Sequence, residues 1–84
     1  MSAFEQTQQI IGDVLQLGER TGQLEKATTL MGGIPEFDSM AVVSLITALE
    51  ENFGIMVEDD EIGAEIFETV GSVNDFVERK LAEL

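Results

Sequence analysis

Between Ser39 and Gly54 the chain spells out one complete helix. Val42, Leu45, Ile46, Leu49 and Phe53 recur at i, i+3, i+4, i+7 and i+11, a single apolar stripe on a 3.6-residue period. Gly54 is placed to end it, and Ile55 falls where the hydrophobic contact of a Schellman cap belongs. Such a stripe must be covered by another element, and the remaining residues offer helices for the purpose. Ile55 and Val57 alternate as a strand would, but no partner strand is written anywhere.

Ser2 and Glu5 have capping-box spacing, and Phe4, Ile11, Val14 and Leu15 then give a first helix with an apolar face and Gly18 as its stop. Gly18 to Asp38, rich in Gly, Thr and charge, reads as a long loop crossing one end of the molecule. Its anchors are Leu24, Leu30, Ile34 and Phe37, and Pro35 turns Ile34 away from helix. Glu58 to Glu61 form an acidic turn. Ile62, Ile66 and Phe67 predict a short third helix capped by Asp59 or Asp60. In the last helix, capped by Thr69 or Ser72, Val73, Phe76, Val77 and Leu81 face inward while Arg79 and Lys80 complement the C-terminal dipole. The expectation is an all-α fold, a small four-helix bundle of three longer helices, one short third helix and a long first loop, in a single domain over residues 1–84.

Composition narrows the function. The net charge is −13, and the only basic residues are Arg20, Lys26, Arg79 and Lys80, so 27–78 contains no positive charge. That field repels phosphate backbones and anionic lipid and favours basic protein surfaces, and it predicts a melting temperature that rises with salt. Acidic chains are often disordered, but a 44% hydrophobic content at helical spacing can bury a core. Without cysteine there is neither a disulfide framework nor a thiolate metal site. No secretory leader and no membrane-length apolar run is present, so a soluble, cytoplasmic monomer is expected.

Ser39 opens the central helix directly after an acid, in Asp38-Ser39-Met40, and the chain has no histidine to activate it. A serine without a base is better suited to being modified than to catalysis, and a helix N-terminus welcomes an anion such as a phosphodiester. Paired carboxylates would need a pocket that so small an all-α domain hardly offers, so no catalytic residue is expected. Glu58-Asp59-Asp60-Glu61 lacks the order of a calcium loop, leaving only loose screening by divalent cations. Met40, Val43 and Thr47 lie on one flank. Met40 suits a partner contact, Val43 suits core packing or the same contact, and Glu50 and Glu51 read as a solvated face.

Together these segments resemble a discrete acyl carrier protein. The likeness rests on Asp38-Ser39-Met40 after a long loop, Ala48-Leu49-Glu50-Glu51-Asn52-Phe53-Gly54-Ile55, and Thr69-Val70-Gly71-Ser72-Val73 leading into the last helix. The resemblance implies covalent 4′-phosphopantetheine on Ser39, installed by an Mg²⁺-requiring phosphopantetheinyl transferase with Asp38 supporting the transfer. It also implies an acyl group carried as a thioester, delivered by a protein that is not itself an enzyme. Met40, Val43, Thr47, Glu50 and Glu51 would meet partners, and Val43, Ile46, Leu49 and Phe53 would line an acyl channel.

The family's fatty-acid synthesis members typically have Gly-x-Asp-Ser-Leu followed by acids, where this chain has Glu36-Phe37-Asp38-Ser39-Met40 and then neutral Ala41 and Ser44. This favours a carrier in a specialised lipid or polyketide-like pathway, loaded by an acyl ligase or acyltransferase, over general fatty-acid synthesis. The initiating Met1 and the absence of flanking domains suggest a stand-alone protein. Asp-Ser-Met also suits a D-alanyl or other aminoacyl carrier, and a non-carrier acidic interaction domain would use Ser39 only as an N-cap. If the Ser39 hydroxyl caps the helix, Ser39→Ala costs about 0.5–2 kcal/mol besides abolishing loading.

Overall fold

A computed structural model describes residues 3–84. The capping box expected of Ser2 therefore lies outside the described residues. Three α-helices form the frame: α1 (Ala3–Leu15), α2 (Ser39–Phe53) and α3 (Val70–Ala82). A short 3₁₀ helix, Ala64–Phe67, sits between α2 and α3 where the short third helix was expected, and further 3₁₀ turns occupy Gly18–Gln23 and Asp59–Glu61. Among the described residues there is no strand, only an isolated antiparallel bridge between Thr29 and Thr69.

α1 buries Ile10, Ile11 and Leu15 and packs against both α2 and α3, which meet each other only sparsely. It ends earlier than Gly18. Gln16 takes the left-handed conformation, φ 55°, and the Gln16 and Leu17 amides donate to the carbonyls of Asp13 (3.3 Å) and Gly12 (2.9 Å), the two bonds of a Schellman cap. The reversal at Gln16 returns Leu17 to the core, where it is buried. A sequence rule that looks for glycine misses this stop because burial of the following leucine sets it. One polar pair is also buried between the helices: the Thr7 hydroxyl donates to Asn74 Oδ1 at 3.2 Å.

The long loop is anchored as expected, with Leu24, Leu30 and Phe37 buried and Ile34 packed against the core. It is not structureless. Residues 26–31 run beside 67–71: Leu30 N–H donates to Glu68 O (2.8 Å), Met31 N–H to Phe67 O (3.3 Å), Val70 N–H to Thr28 O (3.0 Å) and Gly71 N–H to Lys26 O (2.9 Å). Arg20 pairs with Glu36 across the loop, and the guanidinium's hydrogen bond holds the Glu36 carboxyl below its ordinary range.

α2 buries Ala41, Leu45 and Leu49, with Val42, Ile46, Ala48 and Phe53 partly buried against the core. Gly54, at φ 68°, ends it, and its N–H donates to Glu50 O at 2.9 Å, the αL type of cap rather than the Schellman pair expected. Asp59 and Asp60 do not cap the short helix. They belong to the separate Asp59–Glu61 turn, and Gly63 precedes Ala64–Phe67, leaving Ile62 outside it. α3 is capped by Thr69, whose Oγ1 accepts from Ser72 N–H while Ser72 Oγ accepts from Thr69 N–H, both at 3.0 Å.

Candidate functional site

The start of α2 assembles from three consecutive residues with different tasks. Phe37 is buried and anchors the end of the loop. Asp38 is the N-cap: its Oδ1 accepts from Ala41 N–H at 2.9 Å and its carbonyl from Val42 N–H at 3.0 Å. Ser39, the first helical residue, is exposed. The expectation that the Ser39 hydroxyl doubles as the cap is therefore corrected, because Asp38 already supplies that acceptor. Phe37 and Val42 stand at N′ and N4, the two positions that a hydrophobic staple uses, with Phe37 buried and Val42 packed against the core.

An anion on Ser39 fits this end of the helix. The first turn, Ser39-Met40-Ala41, contains no acid, and the amides of the first helical residues lie at the positive pole of α2. No basic side chain competes for the anion from α2 itself. All four cations are engaged elsewhere: Arg20 with Glu36, Lys80 with Glu61 (2.9 Å) and Glu83 (3.4 Å), Lys26 over the Phe4 ring and Arg79 over the Phe76 ring.

Beyond Ser39, Met40 (76% exposed), Val43 (63%), Ser44, Thr47 and Glu51 form an exposed strip down α2. Core packing for Val43 is thus corrected: it stands two residues, about 200° around the helix, from both Ala41 and Leu45. Ala41, in contrast, is buried and cannot belong to a partner-facing start. Thr47 Oγ1 donates to Val43 O at 3.1 Å. Glu50 is not simply solvated. Half-buried, it accepts from Val57 N–H at 2.9 Å, because the turn at Gly54 carries the chain back over its carboxylate.

Of the residues expected along a channel, Leu49 is fully buried and Ile46 and Phe53 pack against the core, while Val43 is exposed. Three surface clefts are lined elsewhere. One of about 200 Å³ lies among Leu17, Arg20, Gln23, Leu24, Ile34 and Pro35, one of about 320 Å³ is by Ile55, Met56 and Lys80, and one of about 270 Å³ is by Glu61, Ile66 and Arg79. Sequence reasoning missed a contact below Ser39, where the buried rings of Phe37 and Phe67 meet with centroids 6.1 Å apart.

Residues 5–79 match the family model described as phosphopantetheine attachment site. An acyl carrier protein of Exiguobacterium sibiricum is 33% identical over 78 residues, covering 88% of this chain and 96% of that protein. One of Thermosynechococcus vestitus is 49% identical over 45 residues, 54% of this chain, and the matched stretch spans 53%, about half, of that relative's length. The solution NMR structure of a holo acyl carrier protein from Nitrosomonas europaea superposes with a TM-score of 0.89 at 56% identity, covering 98% of this chain and 99% of that one. An exposed serine on a helix N-terminus in a small helical bundle thus has a family: the chain belongs to the phosphopantetheine attachment-site proteins, which bear the 4′-phosphopantetheine group covalently. Within them its role is that of an acyl carrier protein, a carrier and not an enzyme, served by a phosphopantetheinyl transferase and by acyl-processing enzymes.

Proposed function

We propose that Ser39 is the attachment residue and that Asp38 supports the transfer. The exposed hydroxyl of Ser39 at the first position of α2 carries this reading. Asp38 Oδ1 accepts from Ala41 N–H, which keeps its carboxylate beside the serine without using the Ser39 hydroxyl. The positive pole of α2 favours the phosphodiester that results. When bound, the prosthetic group supplies the thiol that a chain without cysteine lacks.

Met40, Val43 and Thr47 then give partners an apolar contact, Glu51 contributes charge, and Glu50 acts mainly through Val57. The negative field steers basic partner surfaces toward this strip. Ile46, Leu49 and Phe53 shelter the start of the acyl chain. We further propose a single carrier domain over 1–84, monomeric and cytoplasmic, serving a specialised lipid or polyketide-like pathway and loaded by an acyl ligase or acyltransferase. The neutral, exposed Ser44 early in α2 favours this over general fatty-acid synthesis.

Incubation with a broad-specificity phosphopantetheinyl transferase and coenzyme A should add one arm by intact mass in the wild type and none in Ser39→Ala. A mass gain that survives the substitution would remove Ser39 from the mechanism. Intact-mass analysis of protein recovered from its own cells identifies the acyl group, and a full set of fatty-acid elongation intermediates would overturn the specialised-pathway reading.

A further inference from the structure

Resting on the reading of Ser39 as the attachment point, we infer that the cleft beside the end of α1 is the resting seat of the prosthetic arm before an acyl group is loaded. This cleft, of about 200 Å³, lies among Leu17, Arg20, Gln23, Leu24, Ile34 and Pro35. The Arg20–Glu36 pair ties the turn after α1 to the residue three positions before Ser39, so the cleft and the start of α2 share one end of the bundle. Pro35 is four residues from Ser39, so their Cα atoms are at most about 14 Å apart. From the serine oxygen to the sulfur the arm has about fourteen bonds, the length of four to five extended residues or roughly 16 Å. The cleft by Ile55 and Met56 lies past the far end of the 15-residue α2, about 22 Å from Ser39 and beyond that reach. The third adds the carboxylates of Glu65 and Asp75 to that of Glu61, three acceptors that repel the arm's carbonyl oxygens, and its Arg79 already lies over the Phe76 ring.

The lining matches the distal half of the arm, an amide between two pairs of methylenes. Leu17 and Leu24 are buried and Ile34 is half-buried, which gives the methylenes an apolar floor. Gln23 both donates and accepts, and the Arg20 guanidinium keeps N–H groups beyond the one on Glu36. An amide's carbonyl and N–H need partners of these kinds. The cleft exceeds the ~150 Å³ cavity that accepts benzene in an engineered core, room for that half of the arm and not for the whole. The thiol is thereby held against the loop until a partner withdraws it.

The test loads isotope-labelled protein with an unlabelled arm, using coenzyme A and a broad-specificity phosphopantetheinyl transferase. Intact mass is read first: no gain removes Ser39 as the attachment point and the inference with it, whereas a loaded protein tests the cleft alone. Isotope-filtered NMR should then show nuclear Overhauser contacts from the arm's methylenes to the side chains of Leu24 and Ile34. Amide shifts of Leu24, Thr28 and Gly33 should differ between unloaded and loaded protein. The second readout is the rate of thiol alkylation by iodoacetamide in wild type, Arg20→Met and Gln23→Ala. Both side chains are exposed, and a surface ion pair contributes little, so the variants should fold. Alkylation should quicken by about fivefold for each hydrogen bond to the arm that is removed. Loss of a nearby cation alone would slow Arg20→Met instead, because it disfavours the thiolate. Arm contacts confined to the neighbours of Ser39 or to the apolar stripe of α2, or variant rates at or below wild type, overturn the inference.

Discussion

Asp38 and Ser39 are neighbours with separable duties, and two substitutions should pull those duties apart. Asp38 Oδ1 holds Ala41 N–H at 2.9 Å, so Asp38→Ala removes the N-cap of α2 and should cost about 1 kcal/mol within a range of ~0.5–2. For a domain of this size that lowers the melting temperature by about 4–8 °C per kcal/mol. Ser39 has helical geometry and an exposed side chain, and alanine is the better helix former there, so Ser39→Ala should leave stability unchanged or raise it by up to about 0.5 kcal/mol. One confounder needs control: at a net charge of −13, deleting any acid relieves self-repulsion and masks part of the loss. Asp38→Asn supplies the control, because asparagine caps as well as aspartate while removing the same charge. Thermal melts followed by far-UV circular dichroism at moderate salt, paired with intact mass after transferase treatment, read both properties at once. Expected are Asn above Ala in melting temperature at position 38, and Ser39→Ala at or above wild type with no mass gain. Equal destabilisation by Ser39→Ala and Asp38→Ala would refute the assignment of the cap.

Glu50→Ala should cost about 1–2 kcal/mol in urea unfolding, because the half-buried Val57 N–H loses a charged acceptor, whereas Glu51→Ala should stay within about 0.5 kcal/mol. Gln16→Gly should raise stability by about 0.5–1 kcal/mol, since the left-handed conformation at Gln16 strains any residue with a Cβ and glycine's greater unfolded-state freedom offsets only part of the gain; an unchanged or lower melting temperature counts against the strain. Glu61 is held below its ordinary carboxyl range first by the Glu58 N–H and then by the Lys80 ammonium. A depressed carboxyl stabilises the fold above its unfolded value, near 4.5, and that contribution disappears as pH falls through the folded value. The stability gap between wild type and Lys80→Met should therefore be open at neutral pH and close in acid; a gap independent of pH between neutrality and strong acid would dissociate Lys80 from Glu61. Melting temperature should rise with added salt, and a flat titration would show that self-repulsion among the acids is negligible.

The helices were legible because burial repeats with a period, and Ser39 stood out as the proposed attachment point because a serine beside an acid at a helix start has few uses without a base. What escaped has no periodic side-chain signal. The pairing of 26–31 with 67–71 is made of backbone hydrogen bonds that Thr28, Lys26 and Phe67 could offer whatever their side chains. The Thr7–Asn74 contact depends on two polar residues meeting across helices 67 positions apart. At Asp38-Ser39 either residue is a good cap, and only the burial of Phe37 and Ala41 fixes the register. Of the two readings open for Val43, core packing fails because burial on α2 centres on Ala41, Leu45 and Leu49, on the side of the apolar stripe away from Val43.

That rotation of the buried face changes what the departure from the acid-rich pattern means. Ala41 is turned into the core, so an acid there would be buried rather than displayed, and its absence is a packing requirement and not a statement about partners. Ser44 is the exposed neutral position that remains. The surface just below Ser39 is therefore apolar at Met40 and Val43, while exposed acids stand further along at Glu51 and in the turn from Glu58 to Asp60. Among the described residues no ion pair reaches Glu51, Glu58, Asp59 or Asp60, although Lys80 pairs with Glu61 beside them. On the proposed reading, long-range attraction and short-range fit reside in different residues: the acids would set how fast a basic partner arrives and how strongly salt slows it, and the shape of the Met40–Val43 strip would decide which partner stays.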